Sequence, residues 1–390
     1  MPQTSKALMS RRNFLRLGTA FFASAVIAGC STNATQSSTS ATQSQTVEPT
    51  EQNVRLIGRT YAQDKTTWIP QSGSAIEFFA TCTSLKLDMV GDEKVNKGTD
   101  HRPRFAVLVN GKVVLDKTLS QTSCTVEVPL EQALKDAVVE VIHLSEALTG
   151  NVGIRAIQVG SDSPAPVRPT NSKDKSIAFV GDSITCGYGV EAQNTNEPFK
   201  TTTENFMKSY AYLAAQELDY DYETVCYSGY GVFSGWTADG ERKTDMLMPP
   251  VYDLVAKGIE QKWDFATHPR DVVVVNLGTN DSTYTGTNNA RIAEFTAAYT
   301  EFLSRIRELN PGSLIICTVG TMEGSELVYP AIEQAVSDHA SRTGDTRAHC
   351  YPSAPINVRE DGCGAGGHPN EVSQRKAAKE LVEAIRKYGN

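Results

Sequence analysis

The sequence contains no Cys-x-x-Cys pair, and its six histidines are scattered without ligand spacing. Zinc-type sites need clustered donors, so no metal site is expected. An excess of positive charge is also missing: the formal net charge is −8. A chain without a polybasic face has no electrostatic footprint for nucleic acid or anionic lipid. The apolar run from Leu17 to Ala28 is too short to span a bilayer easily and ends in small residues. No internal repeat is visible.

What is present begins with a leader. Ser10-Arg11-Arg12-Asn13-Phe14-Leu15-Arg16 resembles a twin-arginine export signal, and Ile27-Ala28-Gly29-Cys30 resembles a lipobox. Residues 1–30 therefore read as a signal peptide whose cleavage leaves Cys30 as the lipidated terminus. Membrane attachment in the cell envelope would come from that acyl group. The leader holds Lys6, Arg11, Arg12 and Arg16 and no acid, which leaves the mature chain near −12. Residues 31–52 are Ser/Thr/Gln-rich with almost no apolar side chains and read as a flexible linker. Seven cysteines remain beyond Cys30, an odd number. Cys82 with Cys124, and Cys350 with Cys363, are candidate bridges. Buried free thiols are the alternative, because a protein folded in the cytosol cannot depend on disulfides.

The mature length suits two domains. Residues 163–174 are proline-rich and polar, as in a linker. Before them, over 53–162, short alternating runs read as strands: 75–80, 85–90, 105–109, 112–115, 138–143 and 152–159. Asn110-Gly111 supplies a hairpin turn. Strands so spaced, with little helix, predict a small β-sandwich of jelly-roll type. Over 175–390 the pattern alternates. Strands are expected at 176–180, 222–227, 271–277, 313–318 and 346–350, and helices at 204–218, 249–260, 288–309, 326–342 and 371–388. On the last helix Ala377, Ala378, Leu381, Val382, Ile385 and Tyr388 form one apolar stripe. Such alternation predicts an α/β domain with a parallel sheet covered on both faces.

The chemistry gathers at the carboxyl ends of these strands, where open α/β sheets place their ligands. Gly181-Asp182-Ser183-Ile184-Thr185 follows the apolar run 176–180 and puts a hydroxyl at a tight turn. Thr185 stands where Gly-x-Ser-x-Gly would need glycine, so this is not the α/β-hydrolase elbow. Gly278-Thr279-Asn280-Asp281 ends another apolar strand, and His368-Pro369 precedes the last helix. A serine hydroxyl needs a base and a place for the oxyanion. His368 can be the base. The Asn280 amide and the N–H groups of Ser183 and Gly229 are candidate oxyanion donors.

With these motifs the 175–390 domain resembles the SGNH (GDSL-like) hydrolases. The mature chain resembles carbohydrate esterase family 2 within that group, through Leu56-Ile-Gly-Arg-Thr60, 177–189, Ser228-Gly-Tyr-Gly-Val232 and Gly367-His-Pro369. The resemblance implies a three-layer α/β/α hydrolase domain preceded by a jelly-roll sandwich. It implies removal of O-acetyl groups from plant polysaccharide, with Ser183, Gly229, Asn280 and His368 as the site and no cofactor. One departure stands out. The family pattern has Asp three residues before the histidine, and Ala365 occupies that position. Either Asp361 folds back to orient His368, or a backbone carbonyl does so and the site works as a dyad; a carbonyl still selects the right tautomer.

Tyr188, Tyr230 and Trp236 follow the site segments and are candidates to stack on a sugar ring, with core packing as the alternative. The polar stretch 191–204 reads as a loop at the site mouth. Two further functions remain open from sequence: an esterase of O-acetylated cell wall or exopolysaccharide, and a non-catalytic carbohydrate-binding lipoprotein.

Overall fold

The computed structural model describes residues 43–389. The expected leader, Cys30 and residues 31–42 of the expected linker lie outside the described residues.

Two antiparallel six-stranded sheets come first. One runs Tyr61–Gln63, Thr66–Ile69, Val152–Gly160, Ser84–Gly91, Ser123–Glu127, with Ser44–Val47 also paired to Val152–Gly160. The other runs Val167–Pro169, Ala75–Cys82, Leu134–His143, Arg104–Val109, Lys112–Thr118, with Arg55–Ile57 also paired to Ala75–Cys82. Asn110 and Gly111 both have positive φ (50° and 77°), the signature of the expected tight hairpin. Phe78, Leu87, Phe105, Val107, Val141 and Ile157 fill the space between the sheets.

Two boundaries shift. Ser44–Val47 and Val167–Pro169, both expected in linkers, are strands. Each adds to a sheet through backbone hydrogen bonds, which a polar composition does not betray.

The second domain is built on five parallel strands: β1 Ser176–Gly181, β2 Asp221–Cys226, β3 Val272–Asn276, β4 Leu314–Thr318 and β5 Ala348–Cys350, in spatial order β2-β1-β3-β4-β5. Successive side chains alternate between faces. Ile177 and Phe179 pack with helices Tyr210–Leu218 and Glu371–Tyr388; Ala178 and Val180 pack with helices Asn289–Leu309 and Tyr329–Thr343. The result is the expected three-layer sandwich. The apolar stripe of the last helix is buried as its spacing predicts, with Tyr388 at the margin.

The helix expected over 249–260 is instead a hairpin, Leu254–Ala256 with Ile259–Lys262. The buried guanidinium of Arg59 takes the carbonyls of Tyr252 and Leu254 at 2.5 and 2.7 Å, and the Lys257 N–H donates to the Tyr227 hydroxyl at 2.8 Å. A helix would have spent those groups on itself. All seven cysteines among the described residues are free thiols, so neither candidate bridge is formed.

Candidate active site

β1 lies between β2 and β3, with Gly181 level with Cys226 on one side and Asn276 on the other. The strand order reverses here, which opens a crevice at the carboxyl edge. The segments bearing Ser183, Gly229 and Asn280 leave the sheet at this level.

Gly181 is required by the turn: a Cβ there would sit 2.0 Å from Thr185 Oγ1. Asp182 caps the short helix Ser183–Cys186 by accepting the Ile184 N–H at 3.0 Å. Ser183 is thereby held at the first helical position, only 6% exposed. Asp182 is fully buried, and burial first, then the nearby Asp281, pushes its carboxyl up to about 7.

His368 reaches this point from the far end of the chain. Its Nε2 lies 2.8 Å from Ser183 Oγ, and its Nδ1 lies 2.9 Å from the carbonyl oxygen of Ala365. A carbonyl only accepts, so Nδ1 carries the proton and the Nε2 lone pair faces the serine hydroxyl. Burial lowers the imidazole pKa to about 4, against the opposing pull of the Ala365 carbonyl. The turn that permits this uses Gly366 and Gly367 at φ 59° and 79°. It is tied to the polar 191–204 loop by the Gly366 N–H, which donates to the Thr195 carbonyl at 2.9 Å.

Asp361 is the expected group that the structure places elsewhere. Its carboxylate accepts from Lys376 Nζ at 2.7 and 2.8 Å, and its carbonyl accepts from the Asn370 amide. The cap that Asn370 forms on the last helix draws Asp361 toward that helix and leaves Ala365 beside the ring.

Asn280 is the second residue of the helix Thr279–Thr285. Its amide donates to the Tyr230 carbonyl at 2.8 Å and, more loosely, to Asp182 Oδ2 at 3.2 Å. Gly229 takes φ 82°, open to glycine and strained for other residues. Neither the Ser183 nor the Gly229 N–H donates to a protein acceptor among the described residues. Such free donors suit a developing negative charge.

The three aromatic candidates separate. Tyr188 stacks on the His368 ring with centroids 4.2 Å apart. Trp236 is 53% exposed, and its backbone N–H is bound to the Gly229 carbonyl. Tyr230 is corrected: its ring is buried against Tyr227 and its hydroxyl meets Lys257, so it has no face for a sugar. Being next to a site glycine did not make it a lip residue, because its neighbours Tyr227 and Val232 drew it into the core.

Two residues escaped the sequence reading. Phe199, in the polar loop, stacks on Tyr188 with centroids 4.4 Å apart; a lone aromatic in a polar run was the available signal. Asp281 accepts three consecutive backbone N–H groups, from Val232 at 3.0 Å, Phe233 at 2.7 Å and Ser234 at 2.8 Å. It pins the loop that carries Gly229 and Trp236.

The comparisons agree with this architecture. Cellulase/esterase CelE of Acetivibrio thermocellus is 28% identical over 334 residues, which cover 83% of this chain and 37% of that protein. An acetylxylan esterase / glucomannan deacetylase of Cellvibrio japonicus is 25% identical over 64% of this chain and 66% of its own length. The chain thus spans about a third of the first of these relatives and just under two thirds of the second. Among solved structures, an acetyl xylan esterase from the rumen bacterium Butyrivibrio proteoclasticus superposes with a TM-score of 0.78 at 22% identity, covering 88% of this chain and 98% of that one. Residues 179–388, more than half of the chain, match the GDSL-like Lipase/Acylhydrolase family, so the protein belongs to that family.

Proposed function

We propose that the protein is a serine esterase that removes O-acetyl groups from polysaccharide of the acetylxylan or acetylmannan type. The observation that carries this reading is the pairing of His368 Nε2 with Ser183 Oγ at 2.8 Å while the other ring nitrogen faces a backbone carbonyl. The similarity to a cellulase/esterase and to an acetylxylan esterase / glucomannan deacetylase supports the substrate class.

Ser183 Oγ attacks the acetyl carbonyl carbon as His368 Nε2 takes its proton. The oxyanion is held by the N–H groups of Ser183 and Gly229 and by Asn280, whose longer bond to Asp182 gives way. The imidazolium then protonates the departing sugar oxygen, leaving an acetyl-serine. Water, deprotonated by the same nitrogen, then attacks the acetyl carbon; the bond to Ser183 Oγ breaks, the imidazolium returns the proton to Oγ, and acetate leaves. His368 and Ser183 act as a dyad, and no step calls for a cofactor. Trp236, exposed beside the Gly229 loop, offers a ring face to the sugar, while Tyr188 lies stacked between His368 and Phe199 and steadies the base.

The test is acetate release from acetylated xylan, acetylated glucomannan, O-acetylated cell wall and p-nitrophenyl acetate, comparing wild type with Ser183→Ala. Loss of roughly 10³-fold or more on the plant polymers is expected. Equal release by the two proteins would reject the proposal, and release from cell wall alone would move the substrate to the envelope.

We also infer that an acyl chain on Cys30 anchors the mature protein to a membrane after twin-arginine export; the lipobox-like Ile27-Ala28-Gly29-Cys30 supports this. Labelled palmitate should enter the wild-type chain and not Cys30→Ala; an unlabelled wild type would refute it.

A further inference from the structure

Behind the oxyanion donors lies a fully buried acidic pair that spans the two domains. Glu146 belongs to the sandwich, in the segment just after the strand Leu134–His143. Its Oε2 accepts the Ser228 N–H at 2.7 Å and faces the Cys186 thiol at 3.9 Å. Ser228 immediately precedes Gly229, and Cys186 closes the helix that Ser183 opens. One carboxylate therefore holds the backbone beside Gly229 and meets the thiol at the end of the helix that Ser183 opens.

Its neighbour is Glu204, at the end of the polar loop. Glu204 Oε2 accepts the Glu146 N–H at 3.2 Å, while Oε1 is buried with no hydrogen-bond partner. Ligand atoms of Glu146, Glu204 and Cys186 all lie within 4.8 Å of one another. No lysine or arginine forms a salt bridge with either glutamate among the described residues. The guanidinium of Arg104, which acts on Glu204, is spent on Asp116, Glu191 and the Glu204 carbonyl, and the Lys94 ammonium, which acts on Glu146, donates to the Ala147 carbonyl at 3.3 Å. Two buried carboxyl groups so close, without a paired cation, cannot both be ionised. Burial raises both, and the Ser228 N–H favours the charge on Glu146.

We propose that Glu146, supplied by the β-sandwich domain, is a positioning residue for the oxyanion site: backed by Glu204, it holds Ser228 and so sets the aim of the Gly229 N–H. The sandwich is on this account part of the catalytic apparatus rather than an appended module. The inference rests on the esterase reading above.

The test uses the full chain with p-nitrophenyl acetate, and counts functional sites by stoichiometric labelling of Ser183 with an organophosphonate. Glu146→Ala should lower kcat per labelled site about 10²-fold with KM little changed, the loss typical of one misplaced oxyanion donor. Glu146→Gln keeps an acceptor oxygen at the same reach and should restore kcat to within about fivefold of wild type. Glu146→Asp keeps the charge but is one methylene short, and should fall below Glu146→Gln. That last comparison decides the matter even if Glu146→Ala does not fold. Wild-type kcat per labelled site in Glu146→Ala, or Glu146→Asp matching or exceeding Glu146→Gln, would overturn the proposal. So would a stoichiometric divalent metal in the purified protein whose removal abolishes turnover, since the three side chains would then be ligands. Absence of any Ser183-dependent turnover in wild type would instead defeat the esterase reading.

Discussion

At the scale of single residues the site is governed by how much water each group has lost. Burial disfavours the imidazolium, so His368 stays neutral, and able to accept the Ser183 proton, down to about pH 4. Protonation removes the base, so activity falls as pH falls through that value. The acid limb of kcat/KM, which reports the free enzyme, is expected near pH 4 rather than near the ordinary histidine value of about 6.5. A limb at 6.5 would mean that water reaches the ring. The same ring tests the dyad. Asp361 is occupied by Lys376, so Asp361→Ala should leave kcat within about threefold and cost no more than about 1 kcal/mol, as befits an ion pair with an exposed lysine. A loss matching that of Ser183→Ala would restore the triad. The sequence was readable here in an unexpected way. Ala365 sits where the family pattern has its aspartate, and its backbone oxygen does the orienting that a carboxylate does elsewhere. Position was legible; the acceptor was not, because every residue owns a carbonyl and only the fold says which way it points.

At the scale of elements, the turns after β1 and β3 matter more than the strands. Alternation and apolar runs located the five parallel strands to within a residue or two. Spacing also located three of the long helices, since each buries one stripe. The 249–260 segment failed that reading because its backbone groups are satisfied by a partner distant in sequence: Arg59 claims two of its carbonyls. The 228–236 loop could not be read from periodicity at all. Its shape is imposed by Asp281, whose carboxylate gathers three successive N–H groups. Hydrogen bonds to a charged group are worth about 1.5–3 kcal/mol each, so removing this acceptor frees the loop. Asp281→Ala should lower kcat by about 10- to 100-fold and raise KM on polymer as Trp236 loses its place. Asp281→Asn keeps one acceptor oxygen and should lie between. Steady-state kinetics on p-nitrophenyl acetate and on acetylated xylan check the split; an Asp281→Ala protein with wild-type constants on both would show that the loop holds its own shape.

At the scale of the whole molecule the two domains share a buried apolar seam. The sandwich sheet that contains Ala75–Cys82 is buried on both faces. Phe105 and Val107 point to its own core, while Ala75, Ala106, Leu108 and Ile142 share a cluster with Phe206 and Tyr222 of the hydrolase domain. Composition suggested a division near residues 163–174, yet hid this contact, because small and aliphatic residues on alternate positions look the same whether they meet a sister sheet or another domain. Polar anchors reinforce the seam. Arg59 crosses it with a fully buried guanidinium that meets Glu223 at 3.3 Å as well as the Tyr252 and Leu254 carbonyls. Arg59→Ala would leave those carbonyls without donors and open a void among Tyr252, Trp263 and Phe265. Removing one partner of a buried charged network costs roughly 3–5 kcal/mol. If the seam is continuous with both cores, calorimetry on the wild type gives one transition whose calorimetric and van't Hoff enthalpies agree. Arg59→Ala then lowers that single transition by several degrees and does not split it. Two separated transitions in the variant, with the sandwich melting at its wild-type temperature, would mean that the domains are stable alone and that Glu146 reaches into a neighbour able to stand without it.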